Sequence, residues 1–598
     1  MKLSKFYSNK SELFEPVNFT QGLNVILAEI RLPENRNKDT HNLGKTTLGR
    51  LIDFGFLSTI DQGFFLLKHY EIFKKFVFFL EIELSEISFL TVRRSVENKT
   101  KISFKRHDKR HQDFSLLQIS DWDHWEMPFK RAKDLLNTIL DWHGLEPWLY
   151  RKGLGYQLRS QSDFKDVFQL GKFASEHSDW KPFVAHVLGF NAQLISSHYA
   201  KEAEIKEKSN IEKNIKNELG GSIEDVSKID GMLLLKRQDV DKKQKLLNAF
   251  DFRIEDLEQT KRLVDNIDID IAALNNRRYS LNQNRKKILS SLQDDQILFN
   301  PDEAQRLFKE AGILFEGQIK KDFEQLIAFN RSITDERRMY LQAEFNEVET
   351  ELKILNFNLD NLGRERSETL SFLSNTDIFE KYKQTSDDLT DIKADIISLD
   401  RQRDFLHRLQ ELRTEIRSLI EERGNLQTQI ENDVEKQSGD TKSLFSSIRL
   451  YFSEIVEEVI DRKALLSVSP NQHGHLEFKA EILDSSGNTT SADKGFTYRK
   501  LLCIAFDLSV LRAHMDTRFP RFVYHDGVFE SLDDRKKKNL ISVLRTYVQY
   551  GIQSIITTID TDLPTREASM SSVFDSSEVI LILHDENEQG RLFKINSW

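Results

Sequence analysis

Two stretches decide the fold: Gly44-Lys45-Thr46-Thr47 near the start of the chain and Phe522-Val523-Tyr524-His525-Asp526 near its end. The first lies between an apolar run at residues 22–28, which predicts a buried strand, and a helical pattern at residues 51–57. Such a turn directs backbone N–H groups and a helix N-terminus at an anion such as phosphate. The second predicts a buried strand that ends in a carboxylate, which suits a metal ion beside that phosphate. The two ends are therefore expected to meet in one α/β sheet and one nucleotide site.

The first stretch is a partial match to the phosphate-loop pattern G-x-x-x-x-G-K-[ST], because Asp39 holds the first glycine position. Lys45 is predicted to reach the β- and γ-phosphates of ATP, and Thr46 to give its hydroxyl to Mg²⁺. The backbone N–H groups from Gly44 to Thr47 are predicted to hold phosphate oxygens. The alternative is a lysine at an ordinary helix start.

The second stretch supplies the metal side of the predicted site. Asp526 is expected to act on Mg²⁺ directly or through water. Because position 527 is glycine, either His525 or one of the downstream acids Glu530 and Asp533 must handle the attacking water if ATP is hydrolysed. The alternative for Asp526 is a strand-end carboxylate that caps the next turn.

Two further segments are candidates for nucleotide contact. Glycines, polar groups and aromatics crowd residues 150–164, where Gln157 or Gln161 is predicted to sense the metal and the γ-phosphate; surface polar residues are the alternative. Gly495 precedes a long apolar helical run. That arrangement is predicted to direct backbone N–H groups at an anion, which in a dimer is the γ-phosphate on the facing subunit.

Three runs of heptad-spaced residues occupy the middle of the chain and predict long helices that pack side by side. The runs are Leu257, Val264, Ile267, Ile271, Leu274, Leu281 and Ile288; Leu341, Phe345, Val348, Leu352, Leu355, Leu359 and Leu362; and Phe405, Leu409, Leu412, Ile416, Leu419, Leu426 and Ile430. We expect an antiparallel rod that leaves the α/β head and returns, with breaks at Gly220-Gly221, Gly231 and Gly363 and a small helical insert near residues 291–332. Taken alone, a coiled coil also suits a filament or a tether.

Composition excludes several classes of protein. A single cysteine, Cys503, excludes internal disulfides and a cysteine zinc hook. The first residues lack a signal-peptide core, and no run of about 18 apolar residues spans a membrane, so we expect a cytoplasmic protein without a membrane partner. The net charge of −10 gives no overall attraction to nucleic acid. The basic group at residues 105–111 is either a local DNA-backbone contact or a solvated hairpin tip.

The order of these parts resembles the SMC and RecF/RecN-like branch of the ABC ATPases over essentially the whole chain. More narrowly, it is similar to poorly characterised bacterial coiled-coil ATPases of multi-component defence systems, in which an asparagine, here Asn42, precedes L-G-K-T-T and the Asp strand ends in H-D-G. The resemblance implies an ABC-type α/β head assembled from residues 1–197 and 436–598, with a coiled-coil arm at residues 198–435. It adds Asn42 to the ATP-binding residues.

In that superfamily two heads close on two ATP molecules, so the resemblance implies a homodimer. Gly495 matches the signature turn, although Lys494 stands where serine is usual, and Asp533 keeps the D-loop position. The catalytic glutamate is replaced by Gly527 and the switch histidine by Thr558, which makes Glu530 the expected substitute base.

The implied function is an ATPase whose head engagement rearranges the arm. It is expected to act on double-stranded DNA or on an effector or accessory protein in bacterial defence or repair. The alternatives are an ATP-binding clamp or sensor with little hydrolysis, and a purely structural scaffold.

Overall fold

The structure is a computed structural model that describes residues 1–32, 43–171, 176–219, 225–249, 257–293, 317–371, 376–484, 486–490, 495–564 and 573–596. Asp39, Asn42, Lys494 and the predicted break at Gly220-Gly221 lie outside these residues, as does much of the predicted insert near residues 291–332. The chain divides into two units. The first, called the head, combines Met1–Glu202 with Glu421–Trp598, and the second, called the arm, is Ala203–Ile420.

One sheet of the head is antiparallel and comes entirely from the N-terminal part of the chain. Its strand order is β2-β1-β4-β5-β6-β7. The strands are β1 (Lys2–Ser8), β2 (Val17–Asn18), β4 (Val77–Ser85), β5 (Ser88–Ser95), β6 (Lys101–His107) and β7 (His124–Pro128). The strands β4, β5 and β6 are rich in Phe, Val and Ile and form an antiparallel meander.

A second sheet joins the two ends of the chain. Its order is β13-β3-β12-β11-β8, and every neighbouring pair is parallel. The strands are β3 (Leu23–Glu29), β8 (Leu158–Arg159), β11 (Phe522–His525), β12 (Gln553–Ile559) and β13 (Val579–His584). All of β11 is buried, as expected for a parallel strand covered on both faces. The N-terminal β3 lies between the C-terminal β12 and β13, so the two ends of the chain share one sheet.

Helices and a two-stranded sheet complete the head. The strands β9 (Ala464–Pro470) and β10 (Leu476–Ile482) pair antiparallel. The helices of the head are α1 (Lys45–Gly55), α2 (Phe65–Lys68), α3 (Tyr70–Phe73), α4 (Phe129–Leu140), α5 (Tyr150–Gln157), α6 (His177–Val187), α12 (Leu444–Ile460), α13 (Phe496–Ala513) and α14 (Asp534–Gln549). One apolar core runs through these elements and both larger sheets.

The arm consists of long helices, whose bounds are α7 (Ala192–Leu219), α8 (Val226–Ala249), α9 (Leu257–Gln293), α10 (Gly317–Ser371) and α11 (Thr376–Gly439). The first heptad run packs on the second: Leu281 and Ile288 of α9 lie against Val348, Leu352 and Leu355 of α10. In the described part of the chain, every helix falls short of the length or apolarity that a membrane crossing requires.

The arm departs from a single out-and-back pair of helices. Lys236 and Lys243 of α8 pair with Asp395 and Asp388 of α11, which is an antiparallel arrangement. Ser386 of α11 donates to Asp268 of α9 at 2.8 Å, and Arg401 of α11 donates to Ser280 of α9 at 3.4 Å, so α9 runs parallel to α11 in the same section. A heptad pattern shows which stripe of a helix is apolar and not which helix covers it.

The breaks predicted at Gly231 and Gly363 are also wrong. Both glycines lie inside continuous helices, α8 and α10. One glycine costs a helix about 1 kcal/mol relative to alanine. That cost is small beside the packing of a helix of 24 or 55 residues.

Candidate nucleotide-binding site

The turn before α1 is shaped as a phosphate loop requires. Gly44 has φ +103° and a Cβ placed on it would lie 2.6 Å from Leu592 Cβ, so neither the backbone nor the space accepts a side chain. Lys45 is the first residue of α1, and Thr47 is half-buried in the same first turn. The hydroxyl of Tyr524 on β11 donates to Lys45 O at 2.8 Å, which fixes the start of α1 against the C-terminal strand.

Asp526 joins the two halves of the site. Its Oδ2 accepts from Thr46 Oγ1 at 2.7 Å and its Oδ1 from Thr557 Oγ1 at 2.5 Å. Burial raises the pKa of Asp526, although the two hydroxyls and the nearby Lys45 oppose the shift. Burial also lowers the pKa of Lys45, and Asp526 opposes that shift. A hydroxyl, a carboxylate and a half-buried lysine thus lie together beside a helix N-terminus, a donor set that fits Mg²⁺ and phosphate.

Glu530 lies in the same cleft but both of its oxygens are occupied. Oε1 accepts from Gln161 Nε2 at 2.6 Å, and Oε2 pairs with Lys500 Nζ at 2.9 Å. Gly527 has φ +70°, and a Cβ there would lie 2.7 Å from both Gln161 Nε2 and Glu530 Oε1. The Glu530 carboxylate therefore packs where a side chain at position 527 would begin.

Gln157 lies outside the cleft, whereas its alternative Gln161 lines it. Gln157 ends α5, and its side chain faces a small interior cavity lined by apolar residues such as Phe183 and Phe506. Gln161, four residues later, lines the cleft together with Thr46 and Asp526. The helix ends at Gln157, so the chain turns before Gln161 and the two side chains enter different spaces.

His525 likewise faces away from the cleft. Side chains alternate along β11, so Tyr524 faces α1 while His525 faces α13. His525 is fully buried, and its Nε2 lies 3.0 Å from Asp507 Oδ2. Burial lowers the pKa of His525, and Asp507 opposes the shift. Asp507 also binds the guanidinium of Arg159 through both oxygens, each at 2.7 Å. His525 belongs to a buried ionic group behind the cleft and does not reach it.

Gly495 and Asp533 lie at the N-termini of two helices. Gly495 caps α13 with φ −70°, a value open to any residue. Asp533 caps α14 by accepting from Lys536 N at 3.0 Å, and its other oxygen pairs with Lys536 Nζ at 2.7 Å. Lys536 Nζ also donates to Tyr498 OH of α13 at 3.3 Å, so Asp533 is linked to the first turn of α13.

Three residues of the site were not among the predictions. Thr557, rather than Thr558, reaches Asp526, and it also accepts from Gly527 N at 2.9 Å. Lys500 lies in the apolar run of α13, and a lysine in such a run is a sequence signal for a buried charged partner. Asp562 follows β12, and burial and then Glu530 raise its pKa. Among the described residues, no cluster of three or more His, Cys, Asp and Glu could itself hold a metal ion.

The basic group at residues 105–111 is largely engaged within the head. Lys105 pairs with Asp123 at 3.2 Å, and Arg110 pairs with Glu83 at 3.0 Å and donates to Phe19 O at 2.8 Å. These contacts favour the solvated hairpin tip over a DNA contact for these two side chains.

Comparisons with known proteins find one family model and several solved structures to which the chain is similar. A family model for an uncharacterised protein conserved in bacteria, DUF2326, matches residues 455–597. The chain is similar to the Smc head domain with a coiled coil and joint from Pyrococcus yayanosii, with 14% identity over 93% of this chain and 92% of that one and a TM-score of 0.34. It is similar to the Smc head with an extended coiled coil, bound to the C-terminal domain of ScpA, from Pyrococcus furiosus, with 10% identity over 98% and 93% and a TM-score of 0.34.

A third similar structure, the SMC head domain from Thermotoga maritima, shares 15% identity over 26% of this chain and 47% of that one, with a TM-score of 0.16. No curated protein matches the chain. At these TM-scores the likenesses carry no residue roles to this protein.

Proposed function

We propose that this protein is an SMC-like ABC-type ATPase whose heads engage in an ATP-dependent manner. The observation that carries the proposal is the 2.7 Å hydrogen bond between Thr46 and Asp526, residues that are 480 positions apart in the sequence. It brings a phosphate-type turn and a strand-end carboxylate into one cleft, with the half-buried Lys45 near Asp526. A helix start or a turn cap alone does not require these two residues to meet.

The residues divide the work of holding Mg·ATP. The N–H groups of residues 44–47 and the Lys45 ammonium bind phosphate oxygens, and Lys45 neutralises charge in a partly desolvated place. The Thr46 hydroxyl, the Asp526 carboxylate and the Gln161 amide are suited to the metal and its waters. When bound, Mg²⁺ supplies charge neutralisation at the terminal phosphates. Thr557 holds the Asp526 carboxylate in its orientation.

Two heads are proposed to close on each other across the nucleotide. Gly495 starts an 18-residue helix, and the N-terminal end of a helix carries partial positive charge suited to a phosphate of the facing subunit. The contact from Asp533 through Lys536 to Tyr498 connects the neighbouring helix starts. Closure would therefore act on both helices directly and, through the head, on the arm.

Calorimetric titration with ATP and Mg²⁺ tests the binding part of the proposal. The wild-type protein should bind, and Lys45→Ala and Asp526→Ala should bind at least about tenfold more weakly, because each removes a charge-assisted contact of about 1.5–3 kcal/mol. Phosphate release in steady state tests hydrolysis. Wild-type turnover no faster than that of Lys45→Ala contradicts an ATPase, and undetectable ATP binding supports a structural scaffold.

A second candidate is an ATP-binding clamp or sensor with little hydrolysis. The specific observation in its favour is that both oxygens of Glu530 are occupied and His525 is buried behind the cleft. This candidate predicts ATP-dependent dimerisation that Glu530→Gln leaves unchanged, with no turnover above Lys45→Ala. Sedimentation with and without ATP, read beside the phosphate-release assay, separates the two candidates.

The proposal also includes a biological role: the protein acts on double-stranded DNA or on an effector protein, in defence or repair. The head offers no basic surface at Lys105 and Arg110, whose charges are paired. A mobility-shift assay over a range of salt concentrations, with linear and circular duplexes, tests DNA binding directly. Affinity that does not fall with salt would contradict contact with the phosphate backbone.

A further inference from the structure

We propose that Lys500 is a positioning residue that anchors Glu530 for ATP hydrolysis; this inference rests on the proposed ATPase function. Lys500 lies on α13 five residues after Gly495, and its side chain is 2% exposed. Its ammonium donates to Gly527 O at 2.6 Å and pairs with Glu530 Oε2 at 2.9 Å.

The burial of Lys500 shows that these contacts matter. An ammonium taken out of water is strongly unfavourable unless a charge and hydrogen-bond acceptors replace the water. The rings of Phe164 and Phe496 lie 5.5 Å and 5.2 Å from its Nζ, so the surroundings are otherwise apolar or aromatic. Gly527 O and Glu530 are the acceptors that make this position tolerable for a lysine.

Glu530 needs an anchor because it reaches the cleft from three residues beyond Gly527. Its Cδ lies 3.0 Å from the point where a Cβ of residue 527 would be. A turn with Ser531 at φ +67° follows it. A long side chain on such a turn has many rotamers, and holding it in one costs up to about 2 kcal/mol of conformational entropy. Lys500 fixes the carboxylate at one place and one orientation.

The two oxygens of Glu530 have different partners and so different roles. Oε2 is held by the buried Lys500, whereas Oε1 is held by Gln161, an exposed side chain that lines the cleft. If Gln161 contacted a bound metal instead, Oε1 would be free to accept a proton from the attacking water. The water oxygen would bond to the γ-phosphorus as the bond from that phosphorus to the β,γ-bridging oxygen breaks, so that ADP leaves and Glu530 is left as the neutral acid. Lys500 keeps Oε2 throughout.

The test compares Lys500→Met with a matched control, Arg512→Met, in the full-length protein. Arg512 is at the other end of α13, where it pairs with Glu454 and packs on the ring of Tyr451. Lys500→Met should lower kcat by up to about 100-fold, the loss expected when a catalytic group is misplaced by about 1 Å. ATP affinity measured by calorimetry should stay at the wild-type value, and Arg512→Met should retain wild-type kcat.

A double-mutant cycle distinguishes positioning from general structural support. In a Glu530→Gln background, Lys500→Met should cause no further loss of kcat, because Lys500 acts through the Glu530 carboxylate. If Lys500→Met does not fold, Lys500→Gln replaces it, since a glutamine still offers a donor to Gly527 O without the charge.

The outcomes separate this inference from the proposed function. Wild-type hydrolysis that depends on Lys45, together with wild-type kcat in the Lys500 variant or a full second loss in the double variant, overturns the role of Lys500 alone. Wild-type hydrolysis no faster than that of Lys45→Ala overturns both. The predicted pattern of reduced kcat, retained affinity and no second loss supports it.

Discussion

Gly527→Ala isolates the packing of Glu530 against the backbone. Alanine at φ +70° costs roughly 1–2 kcal/mol of left-handed strain, offset by roughly 0.4–1 kcal/mol from a stiffer unfolded chain. The new Cβ also displaces the ends of Gln161 and Glu530, each 2.7 Å from it. Losing their hydrogen bond costs about 1.5 kcal/mol, the lower end for a charged acceptor because both side chains are partly exposed. We expect a total of about 2–3 kcal/mol and a loss of hydrolysis with ATP binding retained.

Gly487→Ala is the matched control, because Gly487 has φ +82° and no atom of the described residues lies within 4 Å of its added Cβ. It should show the backbone cost alone, about 1 kcal/mol. Urea unfolding followed by tryptophan fluorescence reports the head specifically, since all six tryptophans belong to that unit. Equal destabilisation by the two substitutions, with hydrolysis unchanged in Gly527→Ala, would refute the claim that Glu530 fills the space beside residue 527.

Three further predictions test the ionic groups of the head and the arm. Arg159→Met should destabilise the head by roughly 3–5 kcal/mol in urea unfolding, because it leaves the Asp507 carboxylate buried without its guanidinium; the double variant with Asp507→Leu should be less destabilised than the single. Burial lowers the pKa of His514 in the folded head, so the unfolded chain takes up the proton first as pH falls below 6.5. The free energy of unfolding should then decrease towards acid by up to about 1.4 kcal/mol per pH unit for this group, and His514→Gln should flatten that slope. Arg366→Met should lower the arm's unfolding midpoint in circular dichroism, because Arg366 pairs with Asp268 at 2.8 Å and is 5% exposed; an unchanged midpoint would contradict a stabilising role.

The meeting of the two chain ends in one site could be predicted because each motif binds one part of the same ligand, a metal-bound phosphate. A lysine turn at a helix start calls for a phosphate, and an aspartate at a strand end calls for a metal on that phosphate. The pairing of Thr46 with Asp526 could therefore be predicted from the sequence. The sequence alone also argues against a catalytic role for His525. Side chains alternate along a strand, so His525 lies on the opposite face from Tyr524 and Asp526.

Other features depend on tertiary structure that residue patterns do not encode. The choice between Gln157 and Gln161 turns on the residue at which α5 ends, and helix ends are the least certain part of a pattern-based prediction. The helices that pack against α9 could likewise not be predicted from the sequence. Its apolar stripe predicts that another helix covers it, whereas its direction beside α11 depends on connections that heptad spacing leaves open.

Three residues that depart from the expected sequence pattern, Gly527, Glu530 and Lys500, contact one another in the structure. Gly527 was a departure because a glutamate was expected there, yet the absence of a side chain at 527 is what admits the Glu530 carboxylate from three residues downstream. Because Glu530 reaches this place from three residues downstream, its carboxylate requires a partner to hold it. Lys500, which departs from the apolar pattern of α13, is that partner at 2.9 Å. A glycine, a displaced acid and a buried lysine therefore form one arrangement, in which each residue accounts for the other two. Substituting any one of them should leave the other two without their packing or their charge partner. Gly527→Ala, Glu530→Gln and Lys500→Met share this expectation.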